Sequence, residues 1–246
     1  MIWPFVRSLL KDAEALAFPP RCHFCDDEYG EDGQPESFCP KCRIALVRDA
    51  YESCPRCSST VGPYTDTAAG CPKCRDQSFA FDRIIRLGPY GHELREAILR
   101  MKHRAGEGMA EAIGRLLAMR PDLASLRPDA VVPVPLHWTR RIVRGFNQAE
   151  AIACGVAGGL GVPCRARWLR RVRRTPTGGH FSRSQRLERT RNAFAVRSSC
   201  QALRILLIDD VVTTGATANE AAKVLVAAGA AQVTVACVAH DSSAGR

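Results

Sequence analysis

Along the 246-residue chain the apolar and polar positions change texture twice. Up to residue 18, Ile2, Phe5, Leu9, Leu10, Leu16 and Phe18 fall among charged side chains, the pattern of a short amphipathic helix with an apolar face to dock. Residues 19–78 are rich in Gly, Asp, Ser and Pro, with too few apolar side chains for a core of their own. From residue 79 to 246, short apolar runs alternate with longer amphipathic stretches. The runs at 83–87, 130–134, 193–196, 205–208 and 233–238 predict strands, and Trp168 with Leu169 marks a shorter one. Between them, 93–103, 107–119, 147–158 and 216–228 read as helices. Strands alternating with helices of this length predict an α/β fold, a mostly parallel sheet covered by helices on both faces.

Composition narrows the class. The longest apolar runs, such as 205–208 and 233–239, are far too short to span a bilayer. Lys11, Asp12 and Glu14 interrupt what would have to be an apolar signal core, so the expectation is a cytoplasmic chain without a signal peptide. The net charge of +10 is localised: residues 165–191 hold ten arginines, no lysine and one acid, Glu188. So concentrated a charge implies a polyanionic partner, a phosphorylated substrate or nucleic acid. This stretch reads as a loop of more than fifteen residues, a length that usually signals function or disorder rather than mere connection.

The twelve cysteines add a second motif. Four (Cys154, Cys164, Cys200 and Cys237) stand singly and read as small buried hydrophobes. The other eight form four Cys-x-x-Cys pairs, and Cys22, Cys25, Cys39 and Cys42 recur 32 residues later as Cys54, Cys57, Cys71 and Cys74. The decoration repeats with them, Cys39-Pro-Lys-Cys-Arg matching Cys71-Pro-Lys-Cys-Arg. Without an export signal, such knuckles mean metal rather than disulfides. Two residues between thiolates let one turn supply two ligands to tetrahedral Zn²⁺, so two closed structural sites are expected. Cys22, Cys25, Cys39 and Cys42 are assigned to one site and Cys54, Cys57, Cys71 and Cys74 to the other, with cross-bracing between the repeats as the alternative. Zinc can supply ~10–16 kcal/mol to the folding of such segments. Tandem zinc ribbons of this kind serve as docking modules for nucleic acid or protein, or as plain structural caps.

The richest stretch is Ile205-Leu206-Leu207-Ile208-Asp209-Asp210-Val211-Val212-Thr213-Thr214-Gly215-Ala216-Thr217. An apolar strand, two carboxylates at its C-terminal end and a Thr/Gly turn into a helix lie where open α/β sheets bind ligands. The turn offers N–H groups, hydroxyls and the positive end of a helix to an anion. Adjacent carboxylates can accept hydrogen bonds from two vicinal hydroxyls, and a ribose phosphate has both features. The stretch closely resembles the 5-phosphoribosyl-1-pyrophosphate (PRPP) signature of type I phosphoribosyltransferases. The resemblance implies that Asp209 and Asp210 hold the ribose hydroxyls, directly or through Mg²⁺. It also implies that Thr213, Thr214, Gly215, Ala216 and Thr217 cradle the 5′-phosphate. Enzymes acting on 6-oxopurines usually carry Asp where this chain has Thr213, which points away from purine salvage. In that family the loop after an earlier strand binds pyrophosphate, often through a cis peptide. Here it would be Val134-Pro135, an X–Pro bond in which cis is comparatively cheap, with Arg140 and Arg141 pairing the diphosphate.

Arg144-Gly145-Phe146-Asn147-Gln148, together with the tandem knuckles, narrows the resemblance further. The order knuckles, Tyr90 to Lys102, Pro-Val-Pro-Leu, Arg-Gly-Phe-Asn-Gln, basic loop and Asp-Asp-x-x-Thr-Thr-Gly-x-Thr is similar to that of ComF-type competence proteins. These are phosphoribosyltransferase-like and linked to uptake of transforming DNA. In relatives the basic loop commonly reads Thr-x-x-Gln near its start; here Gly178 stands where that Gln is expected.

The resemblance implies a loop that closes over PRPP, as phosphoribosyltransferase loops at this position do, shielding an oxocarbenium-like sugar from water and neutralising the leaving pyrophosphate. Gly178 and Gly179 would hinge such a lid. Arg183, Arg186, Arg189 and Arg191 exceed what one diphosphate uses, and with Phe181 they suit a single-stranded nucleic-acid track. His180 and His240 are lone histidines and are not assigned to catalysis. Two functions follow. One is a phosphoribosyltransferase that binds Mg²⁺-PRPP and transfers the sugar to an unidentified acceptor with release of pyrophosphate. The other is a non-catalytic single-stranded DNA or nucleotide-binding factor that engages DNA-uptake machinery on the same scaffold.

Overall fold

The apolar run at 205–208 lies inside β5 (Arg204–Val212), the longest strand together with β6 (Gln232–His240). Every residue from Ile205 to Ile208 is buried, because β5 is a central strand whose two faces are both covered by packed side chains. β6 and then β1 (Ile84–Pro89) lie to one side, and β2 (Ala130–Pro133) to the other, giving the all-parallel order β1-β6-β5-β2. The computed structural model describes residues 21–29, 38–173 and 183–242. The expected N-terminal helix at 1–18, the Gly178–Gly179 hinge, His180 and Phe181 lie outside them, as do the side chains of Arg140, Arg183 and Arg186.

Among the described residues the helices, in chain order, are α1 (Pro40–Val47), α2 (His92–Arg100), α3 (Glu107–Ala118) and α4 (Pro121–Ala124), then α5 (Trp138–Arg144), α6 (Gln148–Leu160), α7 (Arg183–Thr190) and α8 (Ala216–Ala227). Successive strand residues alternate between two cores. Leu206 and Ile208 join Ile85, Val131 and residues of α2, α3 and α6. Ile205 and Leu207 join Val132, Val235 and the inner face of α8. On that second side β3 (Leu169–Arg171) and β4 (Phe194–Val196) form a separate antiparallel pair. The expected α/β architecture, a parallel sheet covered on both faces, is therefore present.

Several expectations shift. The helix expected over 93–103 ends at Arg100, and Arg104–Gly106 forms a separate 3-10 turn. The arginine-rich stretch is not all loop: Arg183–Thr190 is helical, and its Arg, Gln, Leu and Glu side chains are good helix formers. Of the single cysteines, Cys200 and Cys237 are buried as expected, but Cys164 is half-buried and Cys154 exposed. The reason is helical period, since Cys154 and Gly158 share the outer stripe of α6.

The internal repeat is visible in space. Arg21 bridges Glu28 as Ser53 bridges Thr60, and the Cys22 N–H donates to the Asp27 carbonyl as that of Cys54 donates to Ser59. The two copies dock differently. Cys22, Phe38, Cys42 and Leu46 of the first merge with the core under α2 and α3. The second is clamped by Arg86 of β1, which is almost wholly buried. Its Nε and Nη2 donate to the two Asp49 oxygens at 2.9 and 3.1 Å. Its Nη1 donates to the Ser58 carbonyl at 2.8 Å and to the Thr60 hydroxyl at 2.9 Å. A buried guanidinium survives only when paired and bonded in this way.

Candidate functional site

The eight paired cysteines gather into two clusters, Cys22, Cys25, Cys39 and Cys42 in one and Cys54, Cys57, Cys71 and Cys74 in the other, with all sulfurs of a cluster within 4.8 Å of one another. Pairing is sequential, not cross-braced. Sulfur separations of 3.8 Å for Cys25–Cys39, 3.7 Å for Cys54–Cys74 and 3.6 Å for Cys57–Cys71 exclude disulfides. They match the edge of a tetrahedron with Zn–S of about 2.3 Å, which is about 3.8 Å. The donor set thus fits two closed four-sulfur zinc sites. Burial works against ionisation of Cys22, yet backbone amides of Cys25, Cys39 and Phe24 aim at its sulfur and bring it down to about 7. Cys54 reaches about 7 against the same burial, through the amides of Cys57, Arg56 and Cys71. Burial and crowding by neighbouring thiols push Cys42 and Cys74 upward. Four crowded thiols cannot all ionise without a cation among them, and a dication supplies the missing charge.

Asp209 and Asp210 lie in the C-terminal half of β5, and Asp209 pairs with Cys237 of β6. The Asp210 N–H donates to Asp209 Oδ1 at 2.9 Å, and the Val211 N–H to Asp210 Oδ1 at 2.7 Å. Burial raises the Asp209 carboxyl well above the usual range, and the charge of Asp210 adds to the rise. The Asp210 N–H and the Arg171 guanidinium act in the opposite sense. Thr213 and Thr214 then turn the chain into α8, whose N-cap is Gly215 at φ 76°. That left-handed backbone suits glycine. A Cβ there would rest in ordinary contact with Phe81 and Phe79, 3.6 and 3.8 Å away, so the backbone angle rather than space calls for glycine; the two rings stack on each other. The loop is tied down behind by the Asn219 side chain, which accepts from the Ala80 N–H at 2.7 Å. Thr217 follows within the first turn of α8.

The second motif forms a brace beside this turn. Asn147 Nδ2 donates to the Val134 carbonyl at 3.2 Å, and Arg144 Nη1 donates to Gln148 Oε1 at 2.9 Å. Arg-Gly-Phe-Asn-Gln therefore holds the Val134–Pro135 loop onto α6. No peptide bond is cis among the described residues, so the Val134–Pro135 bond is trans, against the cis geometry expected there. Arg141 is largely exposed and lies 3.5 Å from Glu150. In the arginine-rich segment, Arg189 is half-buried and Arg191 exposed. His240 is buried, and burial with the charges of Arg86 and Lys73 holds it down to about 4, a neutral ring at neutral pH.

Sequence reasoning missed the second knuckle's position. Between it and the phosphate turn opens a cleft of about 270 Å³, with Ser59 and Lys73 on one wall and Thr213, Thr214 and Gly215 on the other. No spacing rule signals this, because it depends on where a separately folded turn docks. Arg171 was likewise hidden among ten arginines, although its positive charge acts on Asp209.

No protein-family model matches the chain. It is 32% identical over 205 residues to DNA utilization protein YhgH of Salmonella typhi, covering 81% of this chain and 88% of the relative. Competence protein F of Haemophilus influenzae is 31% identical over 206 residues, covering 80% and 87%. The chain belongs to the ComF competence family. Competence protein ComFC of Bacillus subtilis extends the family likeness to 236 residues at 28% identity, covering 85% and 90%. Among solved structures, the glutamine PRPP amidotransferase of B. subtilis complexed with ADP and GMP aligns at TM-score 0.39 and 22% identity, over 54% of this chain and 26% of that one. A purine phosphoribosyltransferase of Pyrococcus horikoshii aligns at TM-score 0.33 and 17% identity, over 60% and 71%. Within the family scaffold, no helix among the described residues is long and apolar enough to cross a membrane.

Proposed function

We propose that this protein binds Mg²⁺-PRPP on its phosphoribosyltransferase-type scaffold and acts in the use of incoming DNA, as the names of its relatives say of them. Residues 79–246 would form the PRPP-binding unit and residues 19–78 the zinc unit. The observation that carries the reading is a carboxylate pair on the strand that leads, through Thr213 and Thr214, to a left-handed Gly215 capping α8. Asp209 and Asp210 accept from the ribose hydroxyls or hold Mg²⁺, while Thr213–Thr217 direct N–H groups and hydroxyls at the 5′-phosphate. The loop at Val134 and Pro135, with Arg140 and Arg141, receives the pyrophosphate. Bound Mg²⁺ would neutralise the diphosphate as it departs and leave the anomeric carbon open to a nitrogen nucleophile on the acceptor. Burial raises the Asp209 carboxyl, so a bound cation or a positively charged transition state would stabilise its ionised form. Calorimetry with Mg²⁺ and PRPP tests this. The doubly substituted Asp209→Asn, Asp210→Asn protein should stay folded with binding reduced at least a hundredfold, whereas unchanged affinity would refute the assignment.

A second reading, a single-stranded DNA-binding factor, is favoured by the charge of residues 165–191 and by the relatives' names. Arg183, Arg186, Arg189 and Arg191 would then follow a nucleic-acid backbone. The two readings are compatible.

A further inference from the structure

The Cys-Pro-Lys-Cys turn occurs in both knuckles, so Lys41 and Lys73 are equivalent in the repeat. Only Lys73 stands at the phosphate turn, in the wall of the cleft opposite Thr213, Thr214 and Gly215. The first knuckle is merged instead with the core under α2 and α3. The second is held rigidly over the C-terminal edge of the sheet. Arg86 binds Asp49, Ser58 and Thr60. The Thr60 N–H donates to Ser242 Oγ at 3.0 Å, and the Ile84 N–H to the Arg56 carbonyl at 3.0 Å. Lys73 Nζ donates to the Ser242 carbonyl at 2.6 Å, which keeps the ammonium at the mouth of the cleft. Phe79 and Ile84 line the same space, and apolar walls strengthen a charge interaction between them.

We propose that Lys73 is a binding residue for the 5′-phosphate carried on the Thr213–Gly215 turn, and that it makes phosphate affinity depend on the metal of the second cysteine cluster. The inference rests on the phosphate-loop reading above. An ammonium across the cleft supplies a charge to a phosphate that the backbone N–H groups of the turn bind only through dipoles. Lys73 lies between two of the cluster's thiolates, Cys71 and Cys74. The metal would join Cys71 and Cys74 to Cys54 and Cys57, so losing the ion leaves the turn to the weaker hold of the Arg56 and Ser242 hydrogen bonds and loosens the aim of Lys73. By linkage, a bound phosphate must hold the ion more tightly by the same factor.

Ribose 5-phosphate is the probe, titrated calorimetrically into the full chain carrying two zinc ions. Lys73→Met should weaken binding between about tenfold and a hundredfold, the range for a hydrogen bond to a charged group. Lys41→Met, its counterpart in the repeat, should bind like the parent, and both variants should retain two zinc ions. In a chelator titration, saturating ribose 5-phosphate should preserve one zinc at chelator concentrations that strip both from the free protein. Equal affinity in the two variants, or zinc loss indifferent to the sugar phosphate, overturns the inference while leaving the phosphate loop standing. If the parent binds neither ribose 5-phosphate nor PRPP, the phosphate-loop reading fails first and takes this inference with it.

Discussion

Asp209 shows a residue kept at a cost to stability. Its carboxyl is raised by burial and by Asp210, so the folded chain holds that proton more tightly than the unfolded chain. The sign follows from linkage. Stability is undiminished below the ordinary carboxyl range of about 4, and it declines as pH rises from there towards the raised value. Asp209→Asn removes the penalty. Thermal melting at pH 7 should therefore give the variant a higher Tm, by about 2–4 °C for each kcal/mol relieved. The gap should close as pH falls below about 4. A variant less stable than the parent at pH 7 would mean that the carboxylate is stabilised by contacts that outweigh its burial. His240 is the opposite kind of residue, a base held neutral by burial and by the charges of Arg86 and Lys73.

At the scale of elements, the tightest contact is between α3 and α6. A Cβ on Gly155 would fall 2.0 Å from the Glu111 carbonyl oxygen, and one on Gly114 2.1 Å from that of Ile152. Neither backbone can move away without parting the two helices that cover one face of the sheet. Gly155→Ala should therefore cost about 1–3 kcal/mol in urea unfolding, as overpacking does. Gly158 lies three residues on and has nothing within 4 Å of a built Cβ. Gly158→Ala should instead stabilise by about 0.5–1 kcal/mol, because alanine loses less backbone entropy in a helix. If the two substitutions behave alike, helix propensity rather than packing governs this pair. The same helix explains why Cys154 departs from the buried role expected of it, since it lies on the outer stripe with Gly158.

For the whole molecule, the charge in residues 165–191 predicts salt-sensitive binding of single-stranded DNA. Log affinity should fall with log salt at about 0.7 per phosphate contacted. Replacing Arg183, Arg186 and Arg191 with glutamine should lower that slope, with zinc content unchanged. Arg189 is left in place because it is half-buried. A slope and affinity that do not respond would remove DNA from this segment. The strands at 205–208 and 233–238, the helix after Gly215 and the two sets of four cysteines were legible in the chain itself. Each is a local pattern: an apolar run, a turn that needs glycine, or a ligand spacing within one turn. The resemblance to ComF-type proteins was legible for the same reason, since its motifs are short and contiguous. Sequence favoured sequential over cross-braced sulfur sites without deciding between them, because the spacing satisfies both and only the docked turns separate them. It could not single out Arg86, whose burial follows from the approach of Asp49, Ser58 and Thr60, which lie 26–37 residues away. Nor could it distinguish Lys73 from Lys41, since the repeat makes them alike. Only long-range packing, which sets one knuckle under the helices and the other beside the phosphate turn, gives them different neighbours.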